Sequence, residues 1–271
     1  QLLPSMELYS QSLRSGIFQK IEVIPWGYIP TFLAPDFLGN PVTRNDWFGH
    51  YAEWNAYIGL LPLMLAFYAL FRRKQKEIIF FGFTAILAIV LSFQTPFLDL
   101  LVALKIPVLS TSAAGRIIVI FSFSMSVLAA FGIEKLLEDI KDKQKKHILS
   151  WLLFFAFIFL ALWIILLLKL FIPVDKIAIA KQNLILPTLI FAVSAVMFSV
   201  VAFLKKKNND YILVPLYFLI IAIVALDLLR FSFKWMPFEN KNLMYPQVLV
   251  TSEFSKISNT NRVLGNLGQE A

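Results

Sequence analysis

The chain contains no cysteine and only two histidines, His50 and His147. Disulfide scaffolds and thiolate metal sites are therefore excluded, and two imidazoles are too few for a metal site built from histidines. Charged residues are also scarce: they make up 15% of the 271 residues, whereas hydrophobic residues make up 59%. A soluble domain of this length carries far more polar surface, so the composition indicates an integral membrane protein.

The sequence instead contains long apolar segments that are separated by short polar loops. About 18 or more apolar residues are needed to cross a bilayer as a helix, and each segment is about that long. The sequence therefore predicts an all-α polytopic membrane protein with about six transmembrane helices. The six predicted spans are residues 54–71, 77–93, 114–133, 148–171, 187–204 and 211–229.

Lysine and arginine are concentrated in alternate loops, 72–76, 134–147 and 205–210. Short cytoplasmic loops collect these residues, so the three loops are predicted to lie inside, and both ends of the sequence outside. The net charge of +8 therefore indicates the orientation of the protein in the membrane and does not predict nucleic-acid binding.

Three regions follow from this topology. They are an extracytoplasmic loop region, a six-helix transmembrane domain and the start of an extracytoplasmic C-terminal region with strand-like pieces at 247–251 and 262–264. Their bounds are 1–53, 54–230 and 231–271. We also expect 96–105 to form an amphipathic helix along the outer interface, and 134–147 to extend the third span as a charged helix. The sequence has no initiator methionine and ends in a polar segment, so we expect a piece of a longer protein.

The first candidate site lies in the polar segment 3–16. Glu7 and Arg14 are seven residues apart, which places them on one face of a helix. A carboxylate and a guanidinium at a membrane surface can bind a sugar hydroxyl and a phosphate. The alternative is an interfacial helix with a solvated polar face.

The second candidate site contains Asp36 and Asn40, followed by Asp46, His50 and Glu53. Such a group can supply a general base or bind a divalent cation through oxygen ligands. The alternative is that Asp36 and Asn40 stabilise turns while the other three side chains are solvated.

The third candidate is Arg116, which follows a run of small residues where the third span begins. An arginine fork can bind two oxygens of a lipid-linked phosphate. The alternative is an arginine that extends to the interface along its apolar stem. At the end of the sixth span, Asp227 and Arg230 are predicted to pair with each other.

Several of these segments together resemble the YfhO family of bacterial membrane proteins. The resemblance rests on short stretches that follow one another along most of the chain: 1–8 and 12–15, 35–40, 57–63, 115–116, 128–133, 227–229 and 262–265.

This family looks like part of the GT-C superfamily of polytopic glycosyltransferases. The resemblance implies a protein of the bacterial cytoplasmic membrane that transfers a sugar from a polyprenyl-phosphate carrier to an extracytoplasmic acceptor such as a cell-wall polymer. It implies that Arg116 and Arg14 bind the carrier phosphate, and that Glu7, Asp36 and Asn40 line the sugar or acceptor pocket. A divalent cation is a possible cofactor. Because such enzymes place the catalytic carboxylate in the first extracytoplasmic loop, the catalytic residue is expected upstream of Gln1.

Two other functions remain open from the sequence. A transporter or flippase of lipid-linked sugars would carry ionisable residues near the bilayer centre, and the predicted spans have almost none. A non-catalytic assembly subunit would use 231–271 to bind a partner.

Overall fold

The computed structural model describes residues 22–106, 113–204 and 213–235, together with the isolated positions Lys241, Leu249, Ser252, Glu253 and Lys256. Glu7 and Arg14 lie outside the described residues, as does the predicted strand 262–264. Leu249, the described residue of the other predicted strand, is helical instead. The chain divides into two units, Gln1–Phe231 and Ser232–Ala271, and the predicted transmembrane region 54–230 belongs to the first.

The described part of the chain is helical and contains no β-strand, which confirms the all-α prediction for these residues. The α-helices are α1 Tyr51–Trp54, α2 Leu60–Arg72, α3 Lys76–Ser92, α4 Pro96–Ala103, α5 Ile118–Lys141, α6 Lys145–Leu167, α7 Ile177–Leu204 and α8 Leu213–Trp235. Short 3-10 turns occur at Trp26–Phe32, Pro41–Thr43, Ala114–Ile117 and Val174–Lys176.

Within the described ranges, four helical segments are long and apolar enough to cross a membrane, which confirms a multi-pass membrane protein. They are Ala114–Lys141, Lys145–Leu167, Val174–Phe203 and Val214–Lys234. Large apolar side chains cover their outer faces: Phe123, Phe157 and Phe218 are each more than 60% exposed. Lipid, rather than water, is the solvent that suits such surfaces.

The first predicted span is shorter as a helix than expected: α2 has 13 residues and is therefore about 20 Å long. α3 has 17 residues, the length predicted for the second span. α2 begins at Leu60 rather than at residue 54 because Asn55 accepts a hydrogen bond from the Tyr57 amide, at 2.9 Å, in a side-chain turn. Such local bonds compete with helix formation, and Gly59 then adopts a φ of 93° just before the helix.

Other boundaries depend on local sequence. α7 begins ten residues before the predicted span, at Ile177, and continues through Pro187. α5 continues to Lys141, so the predicted charged extension 134–147 is helical with the third span only as far as 141, and 145–147 begin α6 instead. α4 confirms a helix within 96–105. Its first turn is capped by the Thr95 hydroxyl, which accepts from the Leu98 amide, and its eight residues are too few to cross a bilayer.

α5 is the central helix and packs most extensively against α2 and α3. Gly132 permits the contact with α2, because an added Cβ there would overlap the backbone carbonyl oxygen of Leu65. Small residues at helix contacts let backbones approach closely inside membranes. The side chains of the core therefore surround a close α2–α5 pair.

The helices alternate in direction, so two groups of segments meet at opposite ends. We call one group the basic end (68–78, 134–151 and 198–203) and the other the aromatic end (22–59, 92–106, 113–118, 162–183 and 227–231). Backbone bonds from Ile24 to Ser92 and Gln94 tie the aromatic end together, and the Tyr68 and Trp151 rings meet at the basic end. Segments predicted on the same side of the membrane thus contact one another.

Candidate functional site

A buried carboxylate that accepts hydrogen bonds from neighbouring side chains lies at the aromatic end. The Asn40 amide donates to Asp36 Oδ1 at 2.7 Å and to the Tyr51 hydroxyl at 3.1 Å. The Tyr51 hydroxyl in turn donates to Asp36 Oδ1 at 2.7 Å. We call these three residues the Asp36 cluster. Each of them is less than 10% exposed, so protein encloses the carboxylate.

The cluster is built from local turn chemistry. The Gly39 amide donates to the Asp36 carbonyl at 2.9 Å, and Gly39 has a φ of 88°, where an added Cβ would overlap the Asn45 backbone. Asn40 then caps the 3-10 turn that begins at Pro41 by accepting from the Val42 amide at 2.9 Å. A left-handed residue followed by an Asn cap and a proline turns the chain sharply. This turn directs the Asp36 and Asn40 side chains inward together.

Two long helices reach the Asp36 cluster. From α7, the Asn183 amide donates to the Asp36 backbone carbonyl at 2.6 Å. From α8, Arg230 Nη2 lies 3.8 Å from Asp36 Oδ2, and the Arg230 side chain is 45% exposed. That separation is longer than a hydrogen bond, so Arg230 faces the carboxylate electrostatically and keeps donors for another group.

Asp227, one turn before Arg230, bonds to the start of α2. It accepts from the Tyr57 hydroxyl at 2.7 Å and from the Leu60 amide at 3.1 Å. The predicted pairing of Asp227 with Arg230 is therefore wrong: the two side chains turn to different partners. The physical reason is that the first amides of α2 need an acceptor, and buried Asp227 supplies one.

An apolar groove of about 290 Å³ runs between α7 and α8, and Asp227 and Arg230 form its polar end. Its walls are aliphatic side chains, among them Leu189, Val193 and Leu226. We call it the α7–α8 groove. Such a site suits a ligand with a long apolar part and one charged group.

Arg116 makes a two-pronged ion pair with Glu53. Its Nε donates to Glu53 Oε2 at 2.7 Å and its Nη2 donates to Oε1 at 3.0 Å. The hydrogen bonds from Arg116 hold the pKa of the Glu53 carboxyl below its usual range. Both side chains remain accessible, at 66% and 37% exposed, so the pair is open to competition from another anion.

His50 of the second candidate site and the nearby Tyr28 have aromatic or acidic neighbours. The His50 ring packs against Trp54 with centroids 5.0 Å apart. Burial raises the pKa of Tyr28, and the negative charges of Asp46 and Asp36 raise it further. No group of three or more His, Asp or Glu side chains that could hold a metal ion occurs among the described residues. The structure therefore gives no support to a cation bound by this group.

Several residues that complete the site escape sequence reasoning. Tyrosines near membrane spans commonly lie at the interface, but the Tyr51 hydroxyl bonds to a buried carboxylate. Asn183 carries no signal, because a single amide at the start of an apolar span belongs to no motif. Arg230 is visible in the sequence, but its neighbour Asp36 is nearly 200 residues away along the chain.

Of the five predicted site residues, the structure brings Asp36 and Asn40 together and places Arg116 on Glu53. Glu7 and Arg14 are outside the described residues. Comparison of the chain with models of protein families, with curated proteins and with solved structures gives no match. The resemblance to the YfhO family stays a prediction.

Proposed function

We propose that the protein is part of a GT-C-like membrane glycosyltransferase that transfers a sugar from a polyprenyl-phosphate carrier to a glycopolymer acceptor at the aromatic end. One observation carries the proposal: Arg230 stands at the end of an apolar groove and beside a buried carboxylate. A lipid-linked phosphate has the matching chemistry, because its chain is apolar and its phosphate accepts paired hydrogen bonds from arginine.

The two charged residues at the polar end of the groove favour binding of a phosphate at Arg230. Asp227 is 5% exposed, and Tyr57 and Leu60 already donate to it. Arg230 is the more accessible of the two charged groups. An incoming phosphate would therefore meet the guanidinium first, while Asp36 orients that guanidinium from the protein side.

The other predicted residues take supporting roles in this proposal. Asp36 and Asn40 are too enclosed to contact a ligand in this conformation, so they position Arg230 at the edge of the sugar or acceptor pocket. Arg116 is a second phosphate ligand, and its hydrogen bonds to Glu53 must break before it can bind the phosphate. Glu7 and Arg14 stay candidates for the sugar and the phosphate. No catalytic base is assigned.

The proposal includes six spans in the bacterial cytoplasmic membrane, with the basic end in the cytoplasm. Because the chain has no cysteine, single cysteines can be introduced at Ser112 and Gln144 without background. An impermeant thiol reagent added to intact cells should label the first and not the second. Labelling of Gln144→Cys alone would reverse the orientation and place the Asp36 cluster on the wrong side for an extracytoplasmic acceptor.

Binding of polyprenyl phosphate tests the role of Arg230. The protein in neutral nanodiscs should bind this lipid, as measured by native mass spectrometry. Arg230→Gln should weaken binding by about 10–150-fold, the value of a charge-assisted hydrogen bond. Lys169→Gln removes an exposed cation from the same end and serves as the control. Equal affinities in the two variants would exclude Arg230 as the phosphate ligand.

A sugar-transfer assay distinguishes the proposed glycosyltransferase from a flippase and from an assembly subunit. Proteoliposomes that contain the intact protein, including the segment expected upstream of Gln1, should transfer label from a radiolabelled polyprenyl-phosphate hexose to envelope glycopolymer, and Arg230→Gln should abolish this transfer. Movement of the labelled lipid across the bilayer without transfer would indicate a flippase. Absence of both activities in a preparation that still binds the lipid would favour an assembly subunit.

A further inference from the structure

A second cavity lies at the basic end, on the opposite side of the protein from the Asp36 cluster. It has a volume of about 380 Å³ and opens between the last turn of α2 and the first turns of α6. Phe71, Trp151 and Phe154 form apolar walls, and the polar lining comes from Arg72, His147 and Ser150. We call it the α2–α6 cavity.

The position of Arg72 is fixed by a buried carboxylate. Asp139 is 1% exposed and accepts from Arg72 Nε at 2.8 Å and from Arg72 Nη2 at 3.3 Å. The Tyr68 hydroxyl donates to the same carboxylate at 2.6 Å, and Lys135 Nζ lies 3.0 Å from it. Because Asp139 has these partners from α2 and α5, it anchors the guanidinium at the cavity wall.

The guanidinium keeps hydrogen-bonding capacity toward the cavity. It carries five N–H donors, and Asp139 takes two of them. The Ser150 hydroxyl and the His147 ring are donors on the facing wall, and both residues are exposed. Donors on two walls of one cavity fit a group with several acceptor oxygens, such as a phosphate.

The electrostatic setting also suits an anion. Segments 72–78 and 134–147 contain nine Lys and Arg residues against five Asp and Glu residues. Among those carboxylates, Glu134 and Glu138 accept hydrogen bonds from Arg73, at 2.8 and 2.6 Å, and Asp139 is buried. The excess positive charge is therefore what an approaching anion meets.

We propose that the α2–α6 cavity binds the phosphate of an anionic phospholipid, with the acyl chains lying along Phe71 and Phe154. These rings are 64% and 40% exposed at the mouth of the cavity, on helices that belong to the membrane domain. A soluble phosphate would gain nothing from them, whereas acyl chains bury them. Basic residues next to membrane spans attract anionic lipids to the surface, and the cavity gives one such headgroup a defined place.

This lipid site does not depend on the proposed function. The α2–α6 cavity is at the basic end and shares no residue with the α7–α8 groove. A bound lipid here would add to the existing contacts between α2 and α6, which include the Tyr68–Trp151 and Phe71–Phe154 ring pairs and the hydrogen bond from the Trp151 indole to the Met64 carbonyl at 2.8 Å. The lipid therefore acts as a structural ligand.

The full protein in a neutral detergent provides the test. Native mass spectrometry should show that dioctanoyl phosphatidylglycerol binds at least about tenfold more tightly than dioctanoyl phosphatidylcholine. Inorganic phosphate at the same concentration should not compete. Equal affinity for the two lipids would overturn the proposal, and competition by inorganic phosphate would overturn the assignment to a lipid.

Three variants localise the binding. Ser150→Leu fills the cavity and removes a donor, and His147→Ala removes a donor without filling space. Each should weaken binding of phosphatidylglycerol by about tenfold. Ser126→Leu makes the same chemical change at an exposed position of α5 and should bind as the wild type does. If one of the two cavity variants folds poorly, the other decides: unchanged binding in a folded cavity variant would overturn the proposal.

Discussion

Removal of one oxygen atom, in Tyr51→Phe, tests whether the Asp36 cluster is a buried and satisfied network. In the structure the Tyr51 hydroxyl donates to Asp36 Oδ1 at 2.7 Å and accepts from the Asn40 amide at 3.1 Å. Phenylalanine fits the same space but offers neither interaction. The carboxylate then keeps the Asn40 donor, and one buried Asn40 hydrogen loses its acceptor.

The expected cost follows from these two losses. A hydrogen bond to a charged group contributes about 1.5–3 kcal/mol, and a buried donor without a partner adds a further penalty. Since the two effects share one hydroxyl, we expect a total of about 2–4 kcal/mol. For a chain of this size each kcal/mol shifts the melting temperature by about 2–4 °C, so Tyr51→Phe should lower it by about 4–16 °C.

Tryptophan fluorescence during heating in nanodiscs measures this shift. Tyr217→Phe removes the same atom from an exposed side chain, 46% accessible on α8, and should melt as the wild type does. A melting temperature of Tyr51→Phe equal to that of this control would refute the reasoning.

Alkaline pH gives a second readout. Burial, and then the hydrogen bond to Asp36, raises the pKa of Tyr51 above that of an ordinary phenol. A raised folded-state pKa stabilises the folded protein below the unfolded value of about 10, and that stability is lost as the pH rises beyond it. Tyr51→Phe should therefore lose less stability between pH 9 and about 11 than the wild type. An equal loss in both proteins would contradict a buried phenol.

Three further changes have defined outcomes. Gly132→Ala should lower the melting temperature by the equivalent of about 1–3 kcal/mol through overpacking; in Gly27→Ala, where a Cβ has ordinary contacts, a shift of that size would contradict the packing argument. Asp227→Ala should destabilise the start of α2 by about 2–4 kcal/mol, because buried donors lose their acceptor; a melting temperature like that of the wild type would show that this cap is dispensable. Arg116→Lys should weaken binding of polyprenyl phosphate about tenfold and Glu53→Gln should strengthen it, with melting unchanged; wild-type affinity in both would remove Arg116 from the phosphate site.

The long helices can be predicted because their signal is their length. α5, α6, α7 and α8 each contain far more apolar residues than a buried helix of a small soluble domain needs, so composition alone identifies them. The start of α2 cannot be read in the same way. Residues 56–58 are Ala, Tyr and Ile, side chains that also occur in membrane helices, and it takes the Asn55 side-chain bond and the φ of Gly59 to show that this segment is extended.

In the candidate site, too, the residues in a local sequence pattern can be predicted, whereas those brought together by packing cannot. Asp36 and Asn40 can be found from the sequence because they lie in a turn-forming stretch, which is a local property. Their partners Tyr51, Asn183 and Arg230 come from three other elements, and only the packing of those elements brings them to one carboxylate. Conversely, the predicted pairing of Asp227 with Arg230 rests on their adjacency on one helix, and the demand of α2 for an acceptor overrides that local preference.

Buried carboxylates fix α2 at both of its ends. At the aromatic end its first amide donates to Asp227 of α8, and at the basic end Tyr68 and Arg72 of its last turns bond to Asp139 of α5. Between helices in lipid, apolar surfaces provide little preference for one register, so polar bonds and close contacts must supply it. A helix of about 20 Å does not span the hydrocarbon core of about 30 Å by itself. Its place in the membrane domain is therefore set by these two carboxylates and by the contact at Gly132. Together they hold one end of α2 beside the α7–α8 groove and the other in the wall of the α2–α6 cavity.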